Sequence, residues 1–276
     1  MGDHIAPDSP IEAAGDRHPE IRVLVTGYGP FHLRYPVNSS WSIASTLPQE
    51  LPATSTCPRI KLVMPSEPIK VAYSSVMVWE EQNLNPDDFD MVLHIGLAAG
   101  RKFFTMERQS MREPYWQKED VIGQIFSKEA TEKLWPSSEF PDVLRPALDC
   151  NDIWRRWRDH VSPHLDVRPS DDPGNYLCGF IYYYTMAWYW RRQSKERPVM
   201  FLHVPDLPSE EQVAGGREVA IGLIRAMVES RASKGSPDPL KGDVLADVIA
   251  PEMVARAEEQ TTTTTAEDDM AWTYRR

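Results

Sequence analysis

Cys178, His203 and Glu107 stand in sequence settings that suit acyl-transfer chemistry. A cysteine hydrolase needs a thiol nucleophile and a base that takes its proton and returns it to the leaving group. It also needs an acceptor that fixes the tautomer of that base. Cys178 follows Asp171-Asp172-Pro173-Gly174-Asn175, a turn-forming cluster, and begins a long apolar stretch, which puts it in the first turn of a buried helix. Unpaired N–H groups and the dipole at a helix N-terminus favour negative charge. That setting predicts a lowered thiol pKa and offers donors to a tetrahedral oxyanion. His203 closes the apolar run VMFLH, and Glu107 follows the short stretch Phe103-Phe104-Thr105-Met106. Each residue also has a plainer reading. Cys178 suits a core cysteine on an aromatic helix, and His203 a hydrogen-bonded core histidine. Glu107 suits a solvated glutamate paired with Arg101 or Arg108. His94 also ends an apolar run and competes with His203 for the role of base, although Leu93 and Ile95 beside it favour a core position.

A fourth candidate is the early loop GYGPFHLRYPVNSSW. Gly27 and Gly29 permit unusual backbone angles, and Tyr28 and Phe31 supply two flat apolar walls. The same residues also suit a turn that contributes aromatics to the core. The loop is not GxGxxG and no Walker lysine follows it, so a nucleotide site has little support. Neither HExxH nor GxSxG occurs, and the three cysteines (Cys57, Cys150, Cys178) form no CxxC pair. Metal and serine-esterase chemistry therefore have no sequence support.

The elements that must position these residues alternate in type. Residues 21–26 (IRVLVT), 60–64, 91–98 (MVLHIGLA) and 199–204 (VMFLHV) read as buried strands. Residues 103–106 read as a short strand, and residues 165–169 as an edge strand because Pro169 cannot donate to a ladder. Helices are expected from a Ser40 cap to about Leu51, and over residues 68–83, 143–160, 176–192 and 210–231. Strands alternating with helices imply a three-layer α/β/α sandwich around a mainly parallel twisted sheet. Its site would lie beyond the carboxyl ends of the strands. The expected organisation is a loose tail over residues 1–19 and a catalytic domain over 20–232, with a surface excursion at 123–165. A C-terminal extension over 233–276 is expected to be largely disordered, with one helix near 240–259.

The chain has 276 residues and a net charge of −11, which would repel nucleic-acid phosphates and anionic membranes alike. Three sparse cysteines argue for a reducing compartment, and the N-terminus carries neither a secretory nor a transit signal, so a cytoplasmic location is expected. The most apolar run, residues 176–190, is shorter than the roughly 18 residues of a membrane span.

Four segments in order resemble the type I pyroglutamyl peptidases. They are LVTGYGPF (residues 24–31) with VNSSW (37–41), HIGLAAGRKFFTMER (94–108), GNYLC (174–178) and FLHVPDLP (201–208). The resemblance covers about residues 21–231. It implies a triad of Cys178 as nucleophile, His203 as general base then acid, and Glu107 as orienter. It puts the two ring-clamping aromatics on Tyr28 and Phe31, and places Leu97, Tyr176 and Leu177 around the substrate. It implies hydrolysis of an N-terminal pyroglutamyl residue from peptides, with no metal and no cofactor.

The sequence also departs from the family pattern. Leu97 replaces a common glutamine, Arg112 an asparagine, and Gly179 the asparagine after the nucleophile. The oxyanion-associated arginine has no clear counterpart, with Gln117 and Lys118 near its place. Two further readings remain open at this stage. One is a pseudoenzyme of the same fold that binds peptide N-termini or a partner, and the other is a thiol hydrolase for a different acyl group. Oligomeric state is not legible.

Overall fold

The computed structural model describes residues 20–85, 88–192 and 196–235. The expected N-terminal tail and the helix near 240–259 lie outside them. Nine strands and six helices occupy the described residues. Seven strands form one sheet in the order β2-β3-β1-β4-β9-β5-β8. These are β2 (Glu50–Leu51), β3 (Ile60–Val63), β1 (Ile21–Thr26), β4 (Met91–Leu97), β9 (Val199–Val204), β5 (Phe104–Glu107) and β8 (Val167–Ser170).

The central strands β4 and β9 are buried at every residue, because helices cover both of their faces. The helices α2 (Tyr73–Asn83) and α5 (Leu177–Arg191) pack together on one face. On the other, α6 (Glu210–Lys234) packs against α1 (Ser39–Ala44) and α4 (Cys150–His160). The expected three-layer α/β/α sandwich is therefore present. Its sheet is parallel except where β2 meets β3 and β5 meets β9. Pro169 sits on the edge strand β8, as its missing donor requires.

The first helix differs from the expected one. Asn38, not Ser40, caps it, accepting from the Ser40 N–H at 3.0 Å. The Ser40 hydroxyl instead accepts from the Tyr28 N–H at 3.0 Å, so this serine holds the early loop against the helix. α1 ends at Ala44, and residues 50–51 pair as a strand. The fourth helix starts at Cys150 rather than at residue 143. Asp149 caps it, accepting from the Asp152 N–H at 2.9 Å, and Val143–Leu144 forms β7 against β6 (Ser110–Met111).

The segment read as a surface excursion delivers buried side chains to the core. Besides α3 (Lys128–Leu134) it contributes Phe126, Trp135, Phe140 and Leu144. Trp135 is packed edge-on to Tyr183, and Phe126 edge-on to Phe180, each with ring centroids 4.8 Å apart. Such aromatic pairs lock the segment onto α5, the helix that carries Cys178. α6 begins at a Ser209–Gln212 capping box and stops at Gly235, whose φ of +72° continues no helix.

Candidate active site

Strand register puts the candidate residues on one face of the sheet. Gly96 of β4 lies beside His203 of β9, and His203 lies beside Thr105 of β5. Directly paired residues share a face, and so do residues two apart along a strand. Glu107, two residues beyond Thr105, therefore points to the same side as His203, Phe201 and the missing side chain of Gly96. α5 covers that side, and its Tyr182 hydroxyl donates to the Glu107 carbonyl oxygen at 2.9 Å.

Gly96 clears the space for the Cys178 sulfur. A Cβ at this position would lie 2.9 Å from Cys178 Sγ and 2.7 Å from the Phe201 ring. Contacts that short do not occur between such atoms. The sulfur thus rests over bare β4 backbone, next to the strand that carries His203. A glycine within a buried strand is the kind of position where another group can approach the backbone closely, and the sequence reading passed over it.

His203 and Glu107 form a hydrogen-bonded pair, with His203 Nδ1 2.8 Å from Glu107 Oε1. Glu107 is fully buried, so the solvated-glutamate reading does not hold. Burial pushes its carboxyl up, but the hydrogen bond and charge of His203, joined by the charge of Arg101, outweigh burial and hold it below its ordinary value. An ionised carboxylate only accepts, so the Nδ1 proton belongs to His203 and the lone pair is left on Nε2. Arg101 Nη1 also donates to Glu107 Oε1 at 2.8 Å and to Thr105 Oγ1 at 2.6 Å. Its Nη2 donates to the Asp172 carbonyl oxygen at 2.9 Å. One guanidinium therefore ties the acid to the turn that precedes Cys178. From the sequence alone Arg101 was only a surface partner of Glu107, and nothing foretold this bridging. Arg108 pairs with Asp171 instead.

Cys178 is the second residue of α5, as its turn-to-helix setting predicts. Tyr176 makes no side-chain capping bond, and the first intrahelical bond runs from the Phe180 N–H to the Tyr176 carbonyl oxygen. The N–H groups of residues 177–179 thus precede the helical ladder and can meet an oxyanion. The thiol does not show the expected lowered pKa. Although part of the residue reaches solvent, its sulfur is packed closely enough that burial dominates. Burial pushes the thiol up to about 12, Arg101 pulls it down by less, and Glu107 adds to the rise. Gly179 follows for a steric reason, since a Cβ there would come within 2.1 Å of the Gly174 carbonyl oxygen.

His94 is not placed as a base. It is fully buried with Nδ1 2.8 Å from Thr26 Oγ1 and Nε2 2.9 Å from Thr185 Oγ1. Burial lowers its pKa to about 3, so it stays neutral.

The remaining candidates are placed unevenly. Tyr28 is 2% exposed and belongs, with Leu177, to the apolar cluster against which Phe31, Tyr176 and Cys178 pack. Phe31 is half-buried and stacks on Tyr35 at 5.7 Å. The Tyr176 hydroxyl donates to the Glu119 carbonyl oxygen at 3.1 Å. Leu97 ends β4 beside Val204. Leu177 is 1% exposed and faces the core.

Arg112 stands apart from this group. It is buried among Glu132 (2.9 Å), Asp142 (3.3 Å) and Glu113 (3.5 Å), and it pins the segment around α3. Gln117 accepts from Asn175, three residues before Cys178. Among the described residues no group of three or more His, Cys, Asp or Glu side chains is placed to hold a metal ion.

Comparison with known proteins places the chain in a family and matches its fold. The family model described as pyroglutamyl peptidase matches residues 21–227. The pyrrolidone-carboxylate peptidase of Deinococcus radiodurans is 30% identical over 184 residues, covering 66% of this chain and 77% of that relative. The human pyroglutamyl-peptidase 1 is 25% identical over 199 residues, covering 68% and 81%. The solved pyrrolidone carboxyl peptidase of Thermococcus litoralis superimposes with a TM-score of 0.61 over 79% of this chain and 97% of its own. At 17% identity that likeness speaks for the fold alone.

Proposed function

Because this chain belongs to the pyroglutamyl peptidase family, we propose that it removes an N-terminal pyroglutamyl residue from peptides through an acyl-enzyme on Cys178. The observation that carries this reading is the placement of Cys178 Sγ over Gly96, beside a His203 oriented by Glu107.

In the first step His203 Nε2 takes the thiol proton as Sγ attacks the pyroglutamyl carbonyl carbon. The raised thiol pKa means that this transfer accompanies attack instead of preceding it. The developing oxyanion meets the free N–H groups at the start of α5. His203 then gives its proton to the departing amine as the C–N bond breaks, leaving a thioester. A water, deprotonated by His203, attacks the thioester carbonyl. Pyroglutamate leaves, and the proton returns to Cys178.

Charge supports a neutral substrate. Pyroglutamate is a lactam with no free amine, and a site for it needs flat apolar walls and no carboxylate to grip an ammonium. The carboxylates that act on Cys178, Tyr28 and Tyr176 are engaged or uncharged. Glu107 is held by His203 and Arg101, Asp120 accepts from the Tyr73, Ile122 and Gln124 N–H groups, and burial raises the Glu80 pKa to about 8, which keeps that carboxyl uncharged at neutral pH.

No helix among the described residues is long and apolar enough to cross a membrane. The three cysteines form no disulfide among the described residues, which fits a reducing compartment and supports a cytoplasmic site of action. The test is release of a fluorophore from a pyroglutamyl amide by the wild type and by Cys178→Ala, with prolyl and glutamyl amides alongside. Turnover confined to the pyroglutamyl amide and abolished in the variant is expected. Folded wild-type protein with no turnover on any pyroglutamyl substrate would sink the reading.

A further inference from the structure

Glu107 is gripped through one of its two carboxylate oxygens. Oε1 takes three donors: His203 Nδ1 at 2.8 Å, Arg101 Nη1 at 2.8 Å and Thr105 Oγ1 at 2.9 Å. Oε2 is buried and has no hydrogen-bond partner. A buried, ionised oxygen without a donor is costly, and native folds leave few of them so. The strand on the far side from His203 offers a donor. β8 pairs with β5 in parallel, and Ser170 is the direct partner of Glu107. Paired residues share a face, so the serine hydroxyl stands on the same side of the sheet as the carboxyl. The backbone fixes this register, since the Arg108 N–H donates to the Ser170 carbonyl oxygen at 2.8 Å. Ser170 Oγ accepts from the Asp172 N–H at 3.1 Å, which leaves its own proton to be placed. Burial pushes the Glu107 carboxyl up. The bond and charge of His203, then the charge of Arg101, then the Ser170 hydroxyl act against burial and hold it below its ordinary value.

We propose that Ser170 is a positioning residue whose hydroxyl donates to Glu107 Oε2 and completes the grip on the carboxylate that orients His203. This deepens the reading of Cys178, His203 and Glu107 as one reacting group and rests on it. The bond would also reach the nucleophile's own turn. Ser170 takes the Asp172 N–H, and Arg101 donates to the Asp172 carbonyl oxygen. The carboxylate is then tied to the turn ahead of Cys178 through both oxygens, by Arg101 on Oε1 and by Ser170 on Oε2. A carboxylate held at both oxygens cannot rotate away when His203 takes the thiol proton and its ring becomes charged. The other titratable groups that face Glu107 are Cys178 and Tyr182 of α5. Burial raises both, so they stay uncharged at neutral pH. Arg108, next in the chain, is paired with Asp171. The charge state of Glu107 is therefore set by His203, Arg101 and Ser170 against burial.

The experiment uses Ser170→Ala, which removes one oxygen from a half-buried position on an edge strand. On a pyroglutamyl amide kcat should fall about tenfold with KM little changed, the size expected for one lost hydrogen bond to a charged group. Loss of a donor favours the protonated carboxyl, so the acid limb of the pH–activity profile should move to higher pH. Ser170→Thr keeps the hydroxyl and suits a strand, and it should recover both the rate and the profile. A second arm needs no turnover. In urea unfolding at pH 7, Ser170→Ala should cost more stability in the wild type than in a Glu107→Gln background, because a carboxylate accepts more strongly than an amide. Equal costs in the two backgrounds, an unmoved acid limb, or a threonine variant that behaves like the alanine one would overturn the proposal. Coupling between residues 170 and 107 in a wild type that cleaves no pyroglutamyl substrate would overturn the peptidase reading and leave this contact standing.

Discussion

His203 and Glu107 are joined by a 2.8 Å hydrogen bond across two strands that run in opposite directions. Glu107 pairs with Phe201 in the backbone ladder, two residues short of His203, so the carboxylate must reach along the sheet to meet Nδ1. That reach holds the tautomer with its lone pair on Nε2. Glu107→Gln keeps the shape but can present an amide N–H to the ring and reverse the tautomer. We expect kcat to fall by about 100-fold or more with KM little changed, measured on a pyroglutamyl amide. The lowered pKa of Glu107 has a further consequence. Its contribution to stability is present above the unfolded value of 4.5 and is lost as pH falls through the lower folded value. In Glu107→Gln the part of acid destabilisation that belongs to this carboxyl should be absent, as read by melting temperature below pH 5.

Cys178 should behave as a protonated thiol in the resting enzyme. With the thiol pushed up to about 12, thiolate absorbance near 240 nm should not titrate between pH 7 and 9, and iodoacetamide should label the residue slowly at neutral pH. A substrate-like aldehyde or chloromethyl ketone should react far faster, because its binding brings the carbonyl, the oxyanion donors and His203 together. Rapid, pH-independent labelling by iodoacetamide would show a preformed thiolate and contradict this account.

Arg101 is a positioning residue. It pulls the Cys178 thiol and the Glu107 carboxyl downward and ties the turn at Asp172 to Glu107. Arg101→Met should raise both groups, so alkylation of Cys178 at a fixed alkaline pH should slow. Turnover should drop about tenfold, and the acid limb of the pH–activity profile should move to higher pH. A lysine restores the charge but not the fork, and Arg101→Lys should recover the pH profile more than the rate. A variant that lost stability with an unmoved profile would reduce Arg101 to a structural tether.

Much of this site was legible before the structure, for local reasons. The turn cluster ahead of Cys178 fixes a helix start, and VMFLH must be a central strand because it is apolar on both faces. What escaped depends on pairing between distant segments. The carboxyl-end rule assumed that β5 runs with its neighbours, whereas it runs against β9, so Glu107 lies lower in the sheet than the rule implies. Arg101 and Asp172 are far apart in sequence, and no spacing announces their bond. The thiol pKa was misjudged because helix geometry is local and desolvation is not. The residues around Trp135 looked like surface because their apolar positions keep no helical or strand period. Their burial comes from docking as a loop on α5.

Gly96 leaves room for the Cys178 sulfur, so adding one methyl there should be severe. In Gly96→Ala the Cβ would strike Cys178 Sγ and the Phe201 ring, both held by the close-packed face of α5. Overpacking of this kind costs about 1–3 kcal/mol. The displaced sulfur should lower kcat/KM by about 100-fold or more, since misplacement by about 1 Å is enough for that loss. Calorimetry beside steady-state kinetics separates the two effects. A folded variant with near-normal turnover would place the sulfur elsewhere.

Glu80 should leave a signature in the pH dependence of stability. Burial raises its pKa from 4.5 to about 8, with the Thr185 hydrogen bond opposing. Below pH 4.5 the group is protonated in both folded and unfolded chains and shifts no balance. Between 4.5 and about 8 the unfolded chain loses this proton while the folded chain keeps it, so stability falls steadily as pH rises. Above about 8 both forms are ionised, and the penalty stays constant at a few kcal/mol. His94 acts from the other side. Its pKa of about 3 makes the folded state lose ground as pH drops below the unfolded value of 6.5. Glu80→Gln preserves an acceptor for Thr185 and cannot ionise. The variant should therefore be more stable than the wild type at pH 8, with the difference vanishing toward pH 4.5. Urea unfolding midpoints measured at pH 5, 6.5 and 8 give the comparison. A gap that fails to widen with pH would mean that Glu80 is already charged in the fold.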